Sequence, residues 1–179
     1  MLKTKDATLL IVDIQGKLAN LMHEKEFLFE NVQKLVKGFQ ALGLPILWAE
    51  QNPQGLGPTV PVIAGLLSNI QPISKMSFSC CENARFMQAL KSSNRKQVLI
   101  TGIETHICVY QTAVNLVDLG YTVEVAVDAV SSRTIINKEI GLQKMKDHGV
   151  GLTSVETALF ELLKVAEGET FKQILGIVK

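Results

Sequence analysis

The chain has 179 residues, 47% of them hydrophobic and 20% charged, with a formal net charge of +1 at pH 7. This length and composition fit one globular domain, residues 1–179, with a sizeable core. The near-neutral charge, without a basic patch or an arginine-rich stripe, predicts no nucleic-acid partner. The apolar segment at 7–12 is too short to cross a membrane and precedes no cleavage signal, so we expect a cytoplasmic protein with no membrane partner.

Strand and helix patterns alternate along the first half of the chain. The predicted elements are a buried strand at 7–13 that ends in Asp13, a turn at 14–16, a helix at 25–42 with apolar residues at three- and four-residue steps, a strand at 45–49, a glycine- and proline-rich loop at 50–61, and a short helical turn at 62–67. Gly43 is the expected stop of the long helix.

The same alternation continues to the end of the chain. The predicted elements are a loop at 73–79 with a short strand near 70–73, a helix at 82–90, a strand at 97–101 with its helix to 119, a strand at 121–127, a strand-end loop at 128–133, a helix at 138–148, a strand at 150–153, and helices at 154–164 and 170–178. Alternating strands and helices predict an α/β fold, a three-layer doubly wound (Rossmann-like), mainly parallel sheet with helices on both faces. Right-handed crossovers would place Asp13, Glu50, Cys108 and Asp128 on one rim of that sheet.

Cys108 is the first candidate for chemistry, because it falls in the first helical turn after a buried strand. Ligands bind at the carboxyl ends of strands in open α/β sheets. A helix N-terminus offers unpaired N–H groups that favour a thiolate. The alternative interpretation is a buried core thiol, which is what most lone cysteines are. Cys80 and Cys81 are adjacent and form neither a disulfide framework nor a Cys-x-x-Cys pair, as is typical of a reducing compartment.

Two charged residues could change the behaviour of this thiol. Asp13 is either a turn acid or a general base whose pKa is raised in a partly desolvated cleft. Lys75 is either a surface lysine or a cation that favours the thiolate and holds Asp13. The two charges act on the thiol in opposite directions, and the sequence leaves open which one dominates. Backbone N–H groups in the turn at 103–108 could stabilise an oxyanion.

Other chemistries lack their motifs. There is no phosphate-binding glycine motif after the first strand and no G-x-S-x-G elbow. His23, His106 and His148 share no metal-ligand spacing. His106 lies two positions from Cys108 and so points a different way on a helix, which favours a place at an interface or at the mouth of a pocket over a catalytic role.

Three segments together identify the chain as resembling the isochorismatase-like cysteine hydrolase superfamily, over nearly its whole length. They are LLIVDIQ around Asp13, KMSFS from Lys75, and GIETHICVYQTA around Cys108. The resemblance is closer to the branch of isochorismatase domain-containing proteins, through EQNPQGLG from Glu50 and DAVSSR from Asp128.

The resemblance implies a role for each motif. Asp13 would be the base, Lys75 its partner and Cys108 the nucleophile that forms an acyl-enzyme. A cis peptide between Ile103 and Glu104 would aim the N–H groups of Glu104 and Cys108 at the oxyanion. The resemblance also implies a homo-oligomer, a dimer or a tetramer.

Departures from related activities narrow the predicted reaction. The segment after the second strand has no histidine, so we expect no metal or other cofactor, which argues against a nicotinamidase. True isochorismatases lack the nucleophilic cysteine, so the thiol favours a small amide, carbamoyl or related C–N substrate. We predict that Gln15, Gln51, Phe78 and Thr105 bind this small molecule. The alternatives are a non-catalytic binding or interaction protein, and a thiol redox sensor with Cys80 and Cys81 as a resolving pair.

Overall fold

The computed structural model describes residues 1–179 and contains six strands in one sheet. The strands are β1 (Ala7–Val12), β2 (Ile46–Gln51), β3 (Ile73–Lys75), β4 (Gln97–Ile103), β5 (Thr122–Ser131) and β6 (Gly151–Thr153). Their order is β3-β2-β1-β4-β5-β6, and every neighbouring pair is parallel. The predicted parallel α/β sheet is therefore confirmed.

Helices connect the strands. They are α1 (Gly16–Ala19), α2 (Lys25–Ala41), α3 (Pro53–Leu56), α4 (Pro61–Ala64), α5 (Ala84–Ser92), α6 (Tyr110–Asp118), α7 (Ile135–Asp147), α8 (Val155–Leu163) and α9 (Gly168–Val178). Single turns of 3₁₀ helix lie at Gly65–Leu67 and Cys80–Glu82, and a π-helical turn lies at Thr105–Val109. None of these helices combines the length and the apolar character needed to cross a membrane.

The sheet separates two apolar cores, because successive side chains of a strand point to opposite faces. In β1, Leu9 and Ile11 belong to the core that packs with α2, α8 and α9. Leu10 and Val12 belong to the core on the other face, with α5, α6 and α7. Every residue of β1 is buried, which explains its unbroken apolar sequence.

The order in which strands are added to the sheet reverses between β1 and β4. From β1 the chain builds β2 and β3 outward to one edge, and it then returns beside β1 to build β4, β5 and β6 toward the other edge. Such a reversal leaves a crevice at the carboxyl ends of the two central strands, where ligands of open α/β sheets bind. Asp13 follows β1, and the π-helical turn with Cys108 follows β4.

Gly102 allows β4 to approach the end of β1 closely. Its φ is +129°, and a Cβ atom there would lie 2.1 Å from the carbonyl oxygen of Val12. Any side chain would push the strands apart directly before Asp13. This glycine therefore sets the spacing between the two halves of the crevice.

Several predicted boundaries were wrong. Lys75 ends the short strand β3 instead of lying in a loop at 73–79. The segment predicted as a loop at 128–133 begins inside β5, which continues to Ser131 past a register shift against β4. Helices α1 and α3 occupy segments predicted as turn and loop. Cys108 lies in a π-helical turn that precedes α6 instead of in the first turn of an α-helix.

Candidate active site

Lys75 is the buried centre of a hydrogen-bond network. Its Nζ lies 2.7 Å from Asp13 Oδ2 and 2.8 Å from Gln51 Oε1. The same nitrogen also donates to the carbonyl oxygens of Ser77 and Phe78, both at 3.1 Å. An ammonium group has three N–H donors, so these four acceptors leave it no free donor. Although β2 separates β3 from β1, the long lysine side chain reaches the end of β1.

Asp13 is held in one position by backbone and side-chain contacts. Its φ is +54°, a left-handed conformation that aspartate adopts more readily than most residues. Its backbone N–H donates to the Ala49 carbonyl at 3.1 Å. Lys75 holds Oδ2, whereas the other carboxylate oxygen, Oδ1, is buried and has no hydrogen-bond partner. Asp13 therefore has one fixed and one free carboxylate oxygen.

Cys108 lies in the π-helical turn, which packs against α7. The contact is close because Gly141 of α7 has no side chain, and a Cβ atom there would lie 2.8 Å from the backbone of His106. The turn keeps Cys108 mostly buried, with 8% of the residue exposed. The thiol thus sits on a fixed backbone at the carboxyl end of the central strand β4.

A small cavity joins these residues. It has a volume of about 160 Å³ and is lined by Asp13, Gln51, Glu104 and Cys108. The rest of its wall is apolar and consists of Leu18, Leu56, Phe78, Ile103 and Ile107. We call this space the Cys108 cavity. A larger groove of about 690 Å³ beside β6 contains none of the predicted site residues, and its size alone does not make it the site.

Burial favours the protonated forms of both Asp13 and Cys108, which line the cavity. Burial raises the pKa of Asp13 above its ordinary value, although the Lys75 ammonium acts in the opposite direction. Burial raises the pKa of Cys108 as well, and the negative charge of Asp13 raises it further, against the opposing effect of Lys75. Of the two charges, Asp13 therefore acts on the thiol more strongly than Lys75, and together with burial it favours the protonated thiol over the thiolate that a helix N-terminus would favour.

Glu104 contributes its backbone to the cavity and its side chain to the support behind it. The peptide bond between Ile103 and Glu104 is cis, as the family resemblance implied. The backbone N–H of Glu104 donates to no acceptor in the protein. Its carboxylate accepts from Arg133 Nε at 3.1 Å and from the Arg133 backbone N–H at 3.2 Å. This pairing fixes the residue whose N–H group remains free.

The predicted substrate-binding residues fall into two groups. Gln51 and Phe78 line the Cys108 cavity. Gln15 lies behind it, where its amide exchanges hydrogen bonds with the backbone of Gln51 and donates to the Gly57 carbonyl. Thr105 is fully buried outside the lining, and its hydroxyl has no partner. Contact of Gln15 and Thr105 with substrate stays a prediction.

Two acids predicted on the same rim do not join the cavity. Glu50 accepts hydrogen bonds from the backbone and the hydroxyl of Thr59. Asp128 lies within β5, and its carboxylate accepts from the N–H of Val155 at the start of α8. His106 is also turned away, with Nδ1 2.9 Å from the hydroxyl of Ser132. These three side chains stabilise loops and a helix end.

Sequence reasoning missed most of the apolar wall of the cavity. Leu18 and Leu56 come from the short helices α1 and α3, and neither was predicted as a helix. Ile103 and Ile107 flank the cysteine motif and were interpreted only as part of a strand and a turn. The only signal for Leu56 was its place in a glycine-rich loop at the end of β2.

The other two cysteines are free thiols with weak acidity. Burial raises the pKa of Cys80 to about 12 and that of Cys81 to about 11. Cys80 is fully buried in the same apolar core as Cys108. No three His, Cys, Asp or Glu side chains come together in a set that could hold a metal ion. That the protein works without a metal nevertheless remains a prediction.

The sequence matches the family model of the isochorismatase domain over residues 7–157. The chain belongs to the isochorismatase family, and its architecture is that family's hydrolase fold.

Individual relatives agree with this assignment. Isochorismatase domain-containing protein 2 of Rattus norvegicus is 35% identical over 175 residues, which cover 98% of this chain and 82% of the rat protein. The predicted resemblance to this branch is confirmed. Among solved structures, the MAR1 ribonuclease of Caenorhabditis elegans has a TM-score of 0.92 and 30% identity, covering 99% of this chain and 91% of its own. YcaC of Pseudomonas aeruginosa, solved with hexane-2,5-diol and covalent acrylamide, has a TM-score of 0.92 and 25% identity. The match covers 98% of this chain and 90% of the YcaC chain.

Proposed function

We propose that the protein is a cysteine-dependent hydrolase of a small amide, carbamoyl or related C–N bond, working without a metal through a covalent acyl-enzyme. One observation carries the proposal: the buried, unpaired Oδ1 of Asp13 shares a small cavity with the Cys108 thiol, while Lys75 holds the other carboxylate oxygen. A nucleophile, an adjacent base and a group that orients the base are the parts that nucleophilic catalysis requires.

In the first half of the reaction, Asp13 takes the thiol proton as the sulfur of Cys108 attacks the carbonyl carbon. The carbonyl π electrons move to oxygen and form a tetrahedral oxyanion. When this intermediate collapses, the C–N bond breaks and Asp13 gives its proton to the departing nitrogen. The products of this half are an amine and a thioester on Cys108.

In the second half, Asp13 takes a proton from a water molecule that attacks the thioester. Collapse of the second tetrahedral intermediate breaks the C–S bond. The carboxylic acid leaves, and the proton on Asp13 returns to the sulfur. The raised pKa of Asp13 suits these exchanges, because a carboxylate with an ordinary pKa is too weak a base to take the proton of a thiol efficiently.

The backbone N–H groups of Glu104 and Cys108 are the proposed donors to the oxyanion. The N–H of Glu104 is free, and the Arg133–Glu104 pairing keeps its residue in place. A single donor of this kind is commonly worth about 10²–10³ in turnover.

The raised pKa of Cys108 determines how the nucleophile is activated. A thiol with a raised pKa is not a standing thiolate, so the proton moves to Asp13 only as the substrate is attacked. The same property argues against the redox-sensor alternative, because oxidation of cysteine begins from the thiolate.

Two of the similar structures bear on the proposal in different ways. The Pseudomonas YcaC structure holds covalently bound acrylamide, which is an amide with an electrophilic carbon. The Caenorhabditis protein is described as a ribonuclease. For this chain, the net charge of +1 and a cavity of about 160 Å³ favour a small molecule over RNA. The cytoplasmic location and the homo-oligomer stay predictions; a similar YcaC structure from Escherichia coli is described as an octameric hydrolase.

A screen of small amides with matched cysteine variants tests the proposal. We expect at least one amide to be hydrolysed by the unaltered protein and by Cys81→Ala, but not by Cys108→Ala. A thioester adduct on Cys108, detected by mass spectrometry after rapid acid quench, would identify the acyl-enzyme. Turnover that survives in Cys108→Ala would refute the mechanism. Binding of amides without turnover would favour the non-catalytic alternative.

A further inference from the structure

The size of the Cys108 cavity favours a small acyl group. Its volume of about 160 Å³ equals that of about five water molecules, at roughly 30 Å³ each in the liquid. Sites for drug-sized ligands begin at about 300 Å³. An acyl group of about four or five non-hydrogen atoms fills the space.

The wall of the cavity is apolar on most sides. Five of its nine lining residues are leucine, isoleucine or phenylalanine. The outermost of them, Phe78, is 55% exposed and lies at the mouth. An aliphatic acyl group would bury apolar surface against this wall, which is favourable, whereas a polar substituent there would lose its water without a replacement.

The polar side chains of the lining already have partners. The amide of Gln51 donates to the Met76 carbonyl at 2.7 Å and accepts from Lys75 at 2.8 Å. The carboxylate of Glu104 is paired with Arg133. Among the buried side-chain atoms of the lining, only Asp13 Oδ1 lacks a partner, and the proposed reaction uses it. Apart from Asp13, only the second N–H of the Gln51 amide remains in the lining to contact a polar group on the substrate.

The charges of the lining exclude an anionic substrate. Its charged side chain is that of Asp13, because the Glu104 carboxylate is paired with Arg133 behind the wall, and no lysine, arginine or histidine lines the cavity. The Lys75 ammonium is saturated by four acceptors behind the wall. A carboxylate on the substrate would therefore enter an apolar space beside Asp13 and without a free counter-charge.

We propose that the substrate is a small amide whose acyl group is aliphatic, uncharged and about four or five non-hydrogen atoms in size. This inference rests on the proposed function and specifies its substrate class. Isobutyramide fits the description, whereas an amide that also carries a carboxylate, such as succinamate, does not. A cationic amide such as glycinamide could pair only with Asp13 Oδ1, which would block the base.

Two alkylating agents of nearly equal size, one neutral and one anionic, test the inference at Cys108 itself. Iodoacetamide is neutral and iodoacetate is anionic, and mass spectrometry after digestion gives the rate for each at pH 8.5. N-Acetylcysteine supplies the intrinsic ratio of the two rates. We expect the ratio of the iodoacetamide rate to the iodoacetate rate at Cys108 to exceed the ratio for N-acetylcysteine by at least about 100-fold. The reason is that the anion meets an apolar space beside an acid. Equal ratios would overturn the inference.

A pair of variants isolates charge from shape. Ile107→Lys places an ammonium on the wall, and Ile107→Met places a neutral side chain of similar length there. We expect Ile107→Lys to shift the ratio at least about tenfold toward iodoacetate and Ile107→Met to leave it within about twofold, in proteins whose melting temperatures show that both fold. A similar shift in both variants would mean that shape and not charge sets the ratio, and would overturn the inference.

The amide screen separates failure of this inference from failure of the proposed function. Hydrolysis of isobutyramide, with succinamate and glycinamide at least about 100-fold slower in kcat/KM, supports both. Hydrolysis of succinamate or glycinamide at a comparable rate, lost in Cys108→Ala, overturns the substrate class and leaves the mechanism standing. No hydrolysis of any of the three, together with no thioester adduct, overturns both.

Discussion

Asp13 and Asp128 are two strand-associated acids that look alike in the sequence and differ in the structure. Burial raises the pKa of both carboxyl groups. Asp13 has one oxygen on Lys75, at 2.7 Å, and the other without a partner in the Cys108 cavity. Both oxygens of Asp128 accept from the N–H of Val155, at 2.9 and 3.2 Å. A buried strand acid can do chemistry where one oxygen is fixed and the other is free beside a nucleophile.

The topology of the sheet explains the difference. Asp13 follows β1, whose neighbour β4 leads directly to the turn with Cys108, at the point where strand order reverses. Asp128 belongs to β5, one strand further out, at the register shift against β4. Its side chain is used at the N-terminus of α8, where a carboxylate is favourable because of the free N–H groups and the helix dipole.

The largest expected effect separates the two acids by turnover. Asp13→Asn should lower kcat/KM on the best amide by at least about 10³, because the free oxygen that accepts the thiol proton becomes part of an amide. Asp128→Asn should leave kcat/KM within about twofold, since the asparagine carbonyl can still accept from Val155. Steady-state kinetics on both variants checks this, and equal losses would show that Asp13 has no special role.

The next effect concerns stability. Lys75→Met should lower the free energy of unfolding by about 3–5 kcal/mol at neutral pH, because it leaves the buried carboxylate of Asp13 without a counter-charge. The loss should shrink as the pH falls, since protonation of Asp13, whose pKa the substitution raises further, removes the unpaired charge. Urea unfolding at two pH values measures this.

The double variant Asp13→Asn/Lys75→Met is the control for that prediction. With the carboxylate replaced by a neutral amide, part of the lost stability should return at neutral pH. If instead the loss of unfolding free energy in the double variant equals the sum of the losses in Lys75→Met and Asp13→Asn, the two side chains act independently.

The smallest expected effect is the loss of stability when the Asp128 carboxylate is removed. Asp128→Ala should cost about 1 kcal/mol of stability, the usual value for a side chain that accepts from the first N–H groups of a helix. Turnover should stay within about twofold. Thermal unfolding and kinetics on the same preparation would measure both, and a large loss of kcat at full stability would place Asp128 in the reaction.

The sequence predicts the frame of this molecule better than its site. Strands such as β1 and β4 are fully buried on both faces, so their continuous apolar runs identify them. β3 has only three residues and lies at the sheet edge, which leaves no such run. Lys75 was therefore placed in a loop, and composition alone gave no reason to single it out; the motif resemblance did.

The interior of the site depends on contacts between distant segments, which local patterns do not encode. Local patterns do not distinguish Asp13 from Asp128 without the strand order, and only the motif resemblance singled out Asp13. Helices α1 and α3, which carry the wall residues Leu18 and Leu56, come together because Gly16 lies against the Leu56 carbonyl, where a Cβ atom would clash at 1.9 Å. The balance of charges at Cys108 likewise required the depth of burial, which raises its pKa more than any single neighbour does.

The most direct test of the account is the rate at which iodoacetamide alkylates Cys108, measured against pH in the unaltered protein and in Asp13→Asn. Because the pKa of the thiol is raised, its thiolate fraction and its rate should climb about tenfold per pH unit from pH 7 to 9 without a plateau. Asp13→Asn removes a negative charge and should lower that pKa, so the rate at pH 8 should rise about tenfold while turnover is lost. Asp128→Asn should match the unaltered protein. A rate in Asp13→Asn that is unchanged or lower would contradict the proposal that Asp13 and the Cys108 thiol share one proton.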